Sequence, residues 1–167
     1  MKDKTETKKS SIRPAFTIYH PNSKGNGSAV AFRTYPATVK ASGFLQIEIS
    51  RQQTVGDSER RVFPTFDWKG RIIARLTPLE VGEVVGVLKG TDVSVRDGEG
   101  FRHRTDGGAT RIALAQVVEP KPSYHLKLSH ETLANEDREI SIWITPEEAY
   151  TLGMGLAASM GRLCFGP

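Results

Sequence analysis

The chain has 167 residues, of which 38% are hydrophobic and 25% charged, so it can form one domain with a buried core. No apolar run approaches the roughly 20 residues of a membrane span, and the N-terminus has no apolar signal-peptide segment. The one cysteine, Cys164, excludes an internal disulfide and a cysteine-based zinc site, and the four histidines lack metal-ligand spacing. We therefore expect a cytoplasmic protein with no membrane partner, no metal and no cofactor.

The positive charge of the chain is concentrated at its N-terminus. Of the formal net charge of +4, a net +3 belongs to residues 1–13, and the other 154 residues carry 18 basic and 17 acidic side chains. Residues 1–14 have no apolar pattern, so we predict a disordered basic tail there and a folded domain over residues 15–167. Such a tail either attracts nucleic acid or only serves solubility. Any anion-binding site of the folded part must be a local patch.

Strand-like segments follow the tail, and turn-forming residues separate them. In chain order they cover residues 16–20, 29–35, 44–50 and 71–76, then 92–97, 100–105, 110–118, 124–129 and 139–144. The assignment within 92–105 stays open, and each half ends in a helix-like segment. The order predicts ββββα twice, which gives an α+β domain with two four-stranded antiparallel sheets, each followed by a helix.

A repeated Thr-Pro-x-Glu motif begins both predicted helices. Thr77 and Thr145 lie 68 residues apart, and each motif combines an N-cap, a proline at the first helical position and a glutamate that completes a capping box. Small residues recur at four-residue spacing along the helices, at Gly82, Gly86, Gly153, Ala157 and Gly161. Either the sheets of the same chain or the helix of a neighbouring subunit packs closely there.

Alternation within the strands separates an apolar face from a mixed face. In 44–50 and 71–76 the apolar positions alternate with polar or charged ones, and 110–115 and 124–129 repeat the pattern. The resulting outer-face cations are Arg71, Arg75, Arg111 and Lys127. Such a face is either simply solvated or a platform for a single nucleic-acid strand, which combines cations with stacking aromatic rings.

The stretch from Tyr19 to Phe32, "YHPNSKGNGSAVAF", has the composition of a phosphate-binding loop but not its order. Lys24 precedes Gly25 instead of following a glycine, and a strand rather than a helix comes next. We interpret the stretch as a connection between strands that places Lys24 at the rim of a sheet. Nothing in the sequence assembles a catalytic constellation, so we do not expect an enzyme.

A series of short motifs resembles the Whirly family of single-stranded DNA-binding proteins. The motifs are Tyr19 with Lys24-Gly25, Phe66-Asp67-Trp68, Val118-Glu119-Pro120, Ile144-Thr145 and Phe165-Gly166. Their order and spacing match over about residues 15–166, essentially the whole predicted domain. The family has a second lysine where this chain has Asn26 or Gly27, depending on the alignment. That departure affects the contribution of the loop to affinity and to assembly beyond a tetramer.

The resemblance implies a fold, an assembly and a set of binding residues. The fold has two bladed sheets with helices behind them, the helices form the core of a homotetramer, and single-stranded DNA lies across the sheets with little sequence preference. Carried over to this chain, Lys24 is the rim cation and Trp68 the first stacking candidate, while Tyr19, Phe32 and Phe44 are stacking alternatives and Phe66 is either stacking or core. Arg71, Arg75, Arg111 and Lys127 are the expected phosphate contacts, and the small helix residues the expected subunit interface.

Three functions remain open at this point. The first is a non-catalytic protein that protects or organises single-stranded DNA in replication, recombination, repair or transcription regulation, in a bacterial or phage-type setting at the nucleoid. The second is an RNA-binding or RNA-annealing protein on the same fold. The third is an oligomerisation domain that does not bind nucleic acid.

Overall fold

The computed structural model describes residues 14–132 and 137–167. The predicted tail therefore lies outside the described residues, apart from Pro14. Eleven regular elements follow it, and their bounds are β1 Phe16–His20, β2 Ser28–Tyr35, β3 Phe44–Thr54, β4 Thr65–Phe66, β5 Ile72–Leu76, α1 Pro78–Leu88, β6 Phe101–Thr105, β7 Gly108–Val117, β8 Ser123–Thr132, β9 Arg138–Ile144 and α2 Pro146–Phe165. No helix within the described ranges is both long and apolar enough to cross a bilayer.

The strands form two antiparallel sheets, as the sequence predicts. In the first sheet β3 pairs with both β2 and β5, and β1 lies outside β2. In the second sheet the order is β6-β7-β8-β9. Strand β4, which the pattern did not predict, is a two-residue pairing with the far end of β3, and the register of this pairing shifts between Gln52 and Thr54. The ββββα repeat is otherwise confirmed.

The predicted strand at 92–97 is wrong. Ser94 makes an isolated bridge to Ala115, and a short 3-10 segment then covers Val95–Gly98. Arg96 and Asp97 have φ values of 48° and 51°, in the left-handed region that an extended strand cannot contain. The outermost strand of the second sheet is therefore β6, which begins at Phe101.

Both helices begin as their motifs predict. Thr77 and Thr145 each accept a hydrogen bond from the backbone N–H three residues on, and Glu80 and Glu148 each accept one from the N-cap N–H. This reciprocal pair satisfies two donors that would otherwise be unpaired at each helix start. Gly90, just after α1, has a φ of 75°, the conformation that favours glycine at a helix end.

One hydrophobic core joins both sheets and both helices. The predicted inward residues of β3 and β5 are buried, and so are those of β7 and β8. Two polar contacts also join the two halves of the chain. His20 on β1 lies 2.9 Å from the Oε1 of Glu148 at the start of α2, and His103 on β6 lies 2.7 Å from the Oε1 of Glu80 at the start of α1. Each helix start is thus bonded to an outer strand of the other half.

Candidate nucleic-acid interface

Both sheets turn one face away from the shared core, and we call these the outer faces. On the first sheet, one end of the outer face is aromatic. Tyr35 on β2 and Phe44 on β3 are directly paired across the strands, and their rings stack with centroids 4.5 Å apart and an interplanar angle of 10°. The guanidinium carbon of Arg75 lies 4.9 Å from the centroid of the Phe44 ring. A planar cation and two aromatic rings thus share one patch, the composition to which bases stack.

The opposite end of this face has a second aromatic pair. The rings of Tyr19 on β1 and Phe66 on β4 lie 5.5 Å apart at 51°. Ala29 and Ser50 are aligned with Tyr19 across the sheet and are fully buried, so the pair covers a position where the sheet carries only small side chains. Tyr19 itself is 55% exposed. It can therefore contact both the sheet and a ligand.

A buried carboxylate lies between the two aromatic ends. Glu48 is 7% exposed, and its Oε1 accepts hydrogen bonds from Arg33 at 3.2 Å and Gln46 at 2.9 Å. The Nε of Arg71 lies 2.8 Å from Oε2, an ion-pair distance, although its N–H is not aligned for a hydrogen bond. Burial alone would raise the pKa of Glu48, but the hydrogen bonds from Gln46 and Arg33 and the charges of both arginines lower it.

Because of this carboxylate, the two predicted cations of the first sheet, Arg71 and Arg75, differ in their availability to a ligand. Arg71 is half-buried, is paired with Glu48, and donates through Nη1 to the carbonyl of Trp68 at 2.5 Å. Arg75 is exposed and donates through Nε to Gln46 at 3.3 Å. Arg75 is therefore the better placed of the two to meet a phosphate.

The outer face of the second sheet carries more cations. Arg111 on β7 is exposed and aligned with Arg102 on β6. Arg102 bonds Glu131 at 2.6 Å, and this hydrogen bond and the charges of both arginines lower the pKa of Glu131. Within residues 14–132 and 137–167, Arg111 makes no direct ion pair of its own. Lys127 on β8 has a long contact of 3.5 Å with Glu139.

A stacked pair that was not among the predicted binding residues lies on the same face. Trp143 on β9 is aligned with His125 on β8, and their rings lie 4.4 Å apart at 20°. Trp143 is 51% exposed. Burial and the charge of Lys127 lower the pKa of His125, with Glu139 acting in the opposite direction, so the imidazole is neutral at pH 7. The signal was present in the sequence, because Ile140, Ile142 and Ile144 alternate with outward-facing Ser141 and Trp143.

The loop between β1 and β2 has the structure expected of a connection between strands. Asn22 accepts hydrogen bonds through Oδ1 from the N–H groups of Lys24 and Asn26, and Gly25 has a φ of 72°. The side chain of Lys24 is exposed at the tip of this loop. Asn26 accepts a hydrogen bond from the Asn22 side chain at 2.7 Å and so contributes to the turn.

The predicted stacking residues have different surroundings. Phe44 and Tyr19 lie on the outer face, as described above. Phe32 is 5% exposed and belongs to the core, where it is aligned with Ile47, so its prediction as a residue that faces a ligand is wrong. Phe66 is buried beneath Tyr19. Trp68 is half-buried in the loop between β4 and β5, and its role stays a prediction.

Some of the small helix residues pack against the same chain, and others leave room for a neighbouring subunit. A Cβ on Gly153 would lie 3.2 Å from the Cβ of Leu88, so this glycine lets the two helices of the same chain approach. A Cβ on Gly86 would collide with Asp92 of the same chain. Around Gly82 and Gly161 there is open space, and Ala157 is half-buried. Of the predicted interface glycines, Gly82 and Gly161 are the two with open space for a second subunit.

Exposed apolar side chains lie on the same helices. They are Leu79 on α1 and Tyr150, Met154 and Phe165 on α2. Surface apolar residues that lie singly need no explanation, whereas several exposed ones on two adjoining helices are typical of a surface that a second subunit covers. No group of three or more metal-ligating side chains occurs in the described part of the chain.

These observations define a class: an α+β protein of two sheet-then-helix units whose sheets both carry a solvent-facing surface of aromatic and cationic side chains. The chain has the Whirly fold. It superimposes on the crystal structure of WHY1 from Arabidopsis thaliana with a TM-score of 0.71 and 19% identity, over 91% of this chain and 85% of that one. WHY3 from Arabidopsis thaliana gives a TM-score of 0.68 and 18% identity, over 91% and 89%. No protein-family model matches the chain, and a search of curated proteins gave no match.

Proposed function

We propose that this protein binds single-stranded DNA without catalysis and with little sequence preference, along the outer faces of its two sheets. The observation that carries the proposal is the repetition of one arrangement on both sheets. Each outer face presents a stacked pair of rings beside cationic side chains, Tyr35 and Phe44 on the first sheet and His125 and Trp143 on the second. The Whirly fold and the motifs quoted from the sequence support the same function.

The geometry favours a single strand over a duplex. Stacking needs the flat face of an unpaired base, and a duplex hides those faces between its base pairs. Because every base has such a face, a surface of rings and guanidinium groups discriminates little among sequences. Arg75, Arg102, Arg111 and Lys127 supply charge for the phosphates, and the overall dependence on salt follows from their number.

We further propose that the protein is a homotetramer assembled through its helices. The open space at Gly82 and Gly161 and the exposed apolar side chains of α1 and α2 support this assembly. A role in replication, recombination or repair at a bacterial or phage nucleoid remains part of the proposal.

The test compares fluorescence anisotropy of three labelled ligands of equal length: mixed-sequence single-stranded DNA, the matching RNA, and the DNA duplex. We expect the tightest binding to single-stranded DNA and much weaker binding to the duplex at physiological salt. Duplex affinity equal to or above single-strand affinity would contradict the proposal. Preference for RNA would select the RNA-binding alternative. A stable oligomer in sedimentation that binds none of the three at low salt would select the oligomerisation domain.

A further inference from the structure

A cavity lies beyond the Tyr19 end of the first sheet, outside the outer faces. The β1–β2 loop and the long β3–β4 loop border a volume of about 690 Å³ that is open to solvent. Its apolar walls include Pro21, Val55, Val62, Phe63 and Pro64. Phe63 is 83% exposed, although it is the largest of these side chains. The volume falls in the range of roughly 300–1,000 Å³ that is usual for small-ligand pockets.

Hydrogen bonds fix the two loops that form the cavity. The Oε1 of Gln52 accepts the N–H groups of Asn22 and Gly27, and its Nε2 donates to the carbonyls of Asn22 and Thr54. Within the β3–β4 loop, the backbones of Asp57 and Val62 exchange two hydrogen bonds of 2.8 Å. Gln52 is buried and all these contacts lie within the chain. The cavity therefore exists before any ligand arrives.

Positive charge borders the cavity. Arg61 lines it with a φ of 55°, a left-handed conformation that is uncommon for a residue other than glycine and is often found at functional sites. Lys24 is exposed next to Ser23, which also lines the cavity. Neither cation has an ion-pair partner in the described part of the chain. Asp57 lines the cavity too, but Arg60 compensates its charge at 3.5 Å, and Glu59 is the remaining acid of the loop.

The cavity continues the first outer face. Pro21 follows Tyr19 by two residues, and Pro64 precedes Phe66 by two, so the walls of the cavity begin where the Tyr19–Phe66 ring pair ends. A nucleic-acid strand that ran along the sheet and over this ring pair would reach the cavity next. There a base would meet apolar walls and an exposed ring, and its phosphate would meet cations.

We propose that this cavity receives one unstacked base of the bound single strand, with Phe63 as its stacking partner and Lys24 and Arg61 beside the flanking phosphates. The inference rests on the proposed function and adds the site where the strand leaves the first sheet. A purely apolar partner, such as a helix of another protein, would not use the two bordering cations.

The test uses the full chain, a labelled thymidine oligonucleotide and three variants of one residue. We expect Phe63→Ala to weaken binding by about fivefold or more, because a lost stacking contact has effects of that order. Phe63→Tyr keeps a ring and should bind like the wild type, whereas Phe63→Leu keeps apolar volume without a ring and should bind less tightly. Val39→Ala is the control, since Val39 is fully exposed and does not line the cavity. All four variants should keep the wild-type melting temperature.

The other outcomes show whether the base pocket alone or the proposed function as well fails. If the wild type binds and Phe63→Ala or Phe63→Leu binds equally well, the base pocket is refuted and the proposed function stands. If Phe63→Ala alters sedimentation but not DNA affinity, the cavity contacts a second copy of the chain and the base pocket is again refuted. If the wild type binds no single strand, both proposals fail. Photo-crosslinking with 5-iodouracil should place an adduct on Phe63, and adducts confined to Phe44 and Trp143 would contradict the pocket.

Discussion

Equivalent positions at the centre of the two outer faces carry opposite charges. Glu48 is aligned with Ile73, and Lys127 with Ser141, and both partners lie four residues before the N-cap of the following helix. On the first sheet the central anion binds two arginines, so that face meets a ligand mainly through its aromatic ends. On the second sheet the centre is itself a cation. The two halves thus share a backbone plan but divide stacking and charge differently.

If both sheets bind the same DNA strand, the largest loss of affinity should come from removing one aromatic ring on each sheet. We expect Phe44→Ala and Trp143→Ala each to weaken binding of a thymidine oligonucleotide by about tenfold, and the double variant by about 100-fold, because stacking contributes about 1–3 kcal/mol per base. Fluorescence anisotropy measures the affinities. A double variant no weaker than one of the single variants would show that only one sheet binds the strand.

Removal of the buried anion of the first sheet, Glu48, should have the next largest effect, which is a loss of stability. Glu48→Gln removes the buried charge that pairs with Arg33 and Arg71, so we expect a loss of about 1–3 kcal/mol in the free energy of unfolding at pH 7, measured by urea denaturation. The matched control is Glu131→Gln on the second sheet, where the ion pair with Arg102 is exposed and its loss should leave the urea midpoint unchanged.

The wild type and Glu48→Gln should also differ in how their stability changes in acid. The folded-state pKa of Glu48 is lowered from its usual value of about 4.5, so its contribution to stability is complete above pH 4.5 and is lost as the pH falls through the folded-state value. The difference in stability between the wild type and Glu48→Gln should therefore shrink below pH 4.5. A difference that stays constant down to pH 3 would mean that the charge of Glu48 does not contribute.

The smallest effect expected is a change in salt dependence. Arg111→Ala should reduce the slope of log affinity against log salt concentration by about 0.7, the value for one phosphate contact on a single strand. Arg71→Ala, whose guanidinium is already paired with Glu48, should leave the slope closer to that of the wild type. Equal reductions for both variants would contradict the division of charge between the two sheets.

The sequence predicts best what depends on local chemistry. The Thr-Pro-x-Glu motifs locate both helix starts, and alternation assigns the faces of β3, β5, β7 and β8. Alternation fails in β2, because Ala29, Val30, Ala31 and Phe32 are all apolar and no polar residue marks the outer face. The alignment of Phe32 with the buried Ile47 places the Phe32 side chain on the core side.

What the sequence cannot supply is the register between strands that are far apart in the chain. The pairing of Arg33 and Arg71 with Glu48 depends on the alignment of β2, β3 and β5, and no local pattern encodes it. The Tyr35–Phe44 stack has the same origin. Trp143 is the opposite case, because alternation alone would have placed it on the outer face.

The crossed bonds from His20 to Glu148 and from His103 to Glu80 bear on how the molecule unfolds. A repeat of this kind suggests two modules that could be separated, but each module here completes the helix start of the other. A fragment that ends after Gly90 would leave the first turn of α1 without its imidazole partner and its apolar side uncovered. The duplication is therefore interlocked rather than modular, and the two halves should exchange their backbone amide hydrogens as a single cooperative unit.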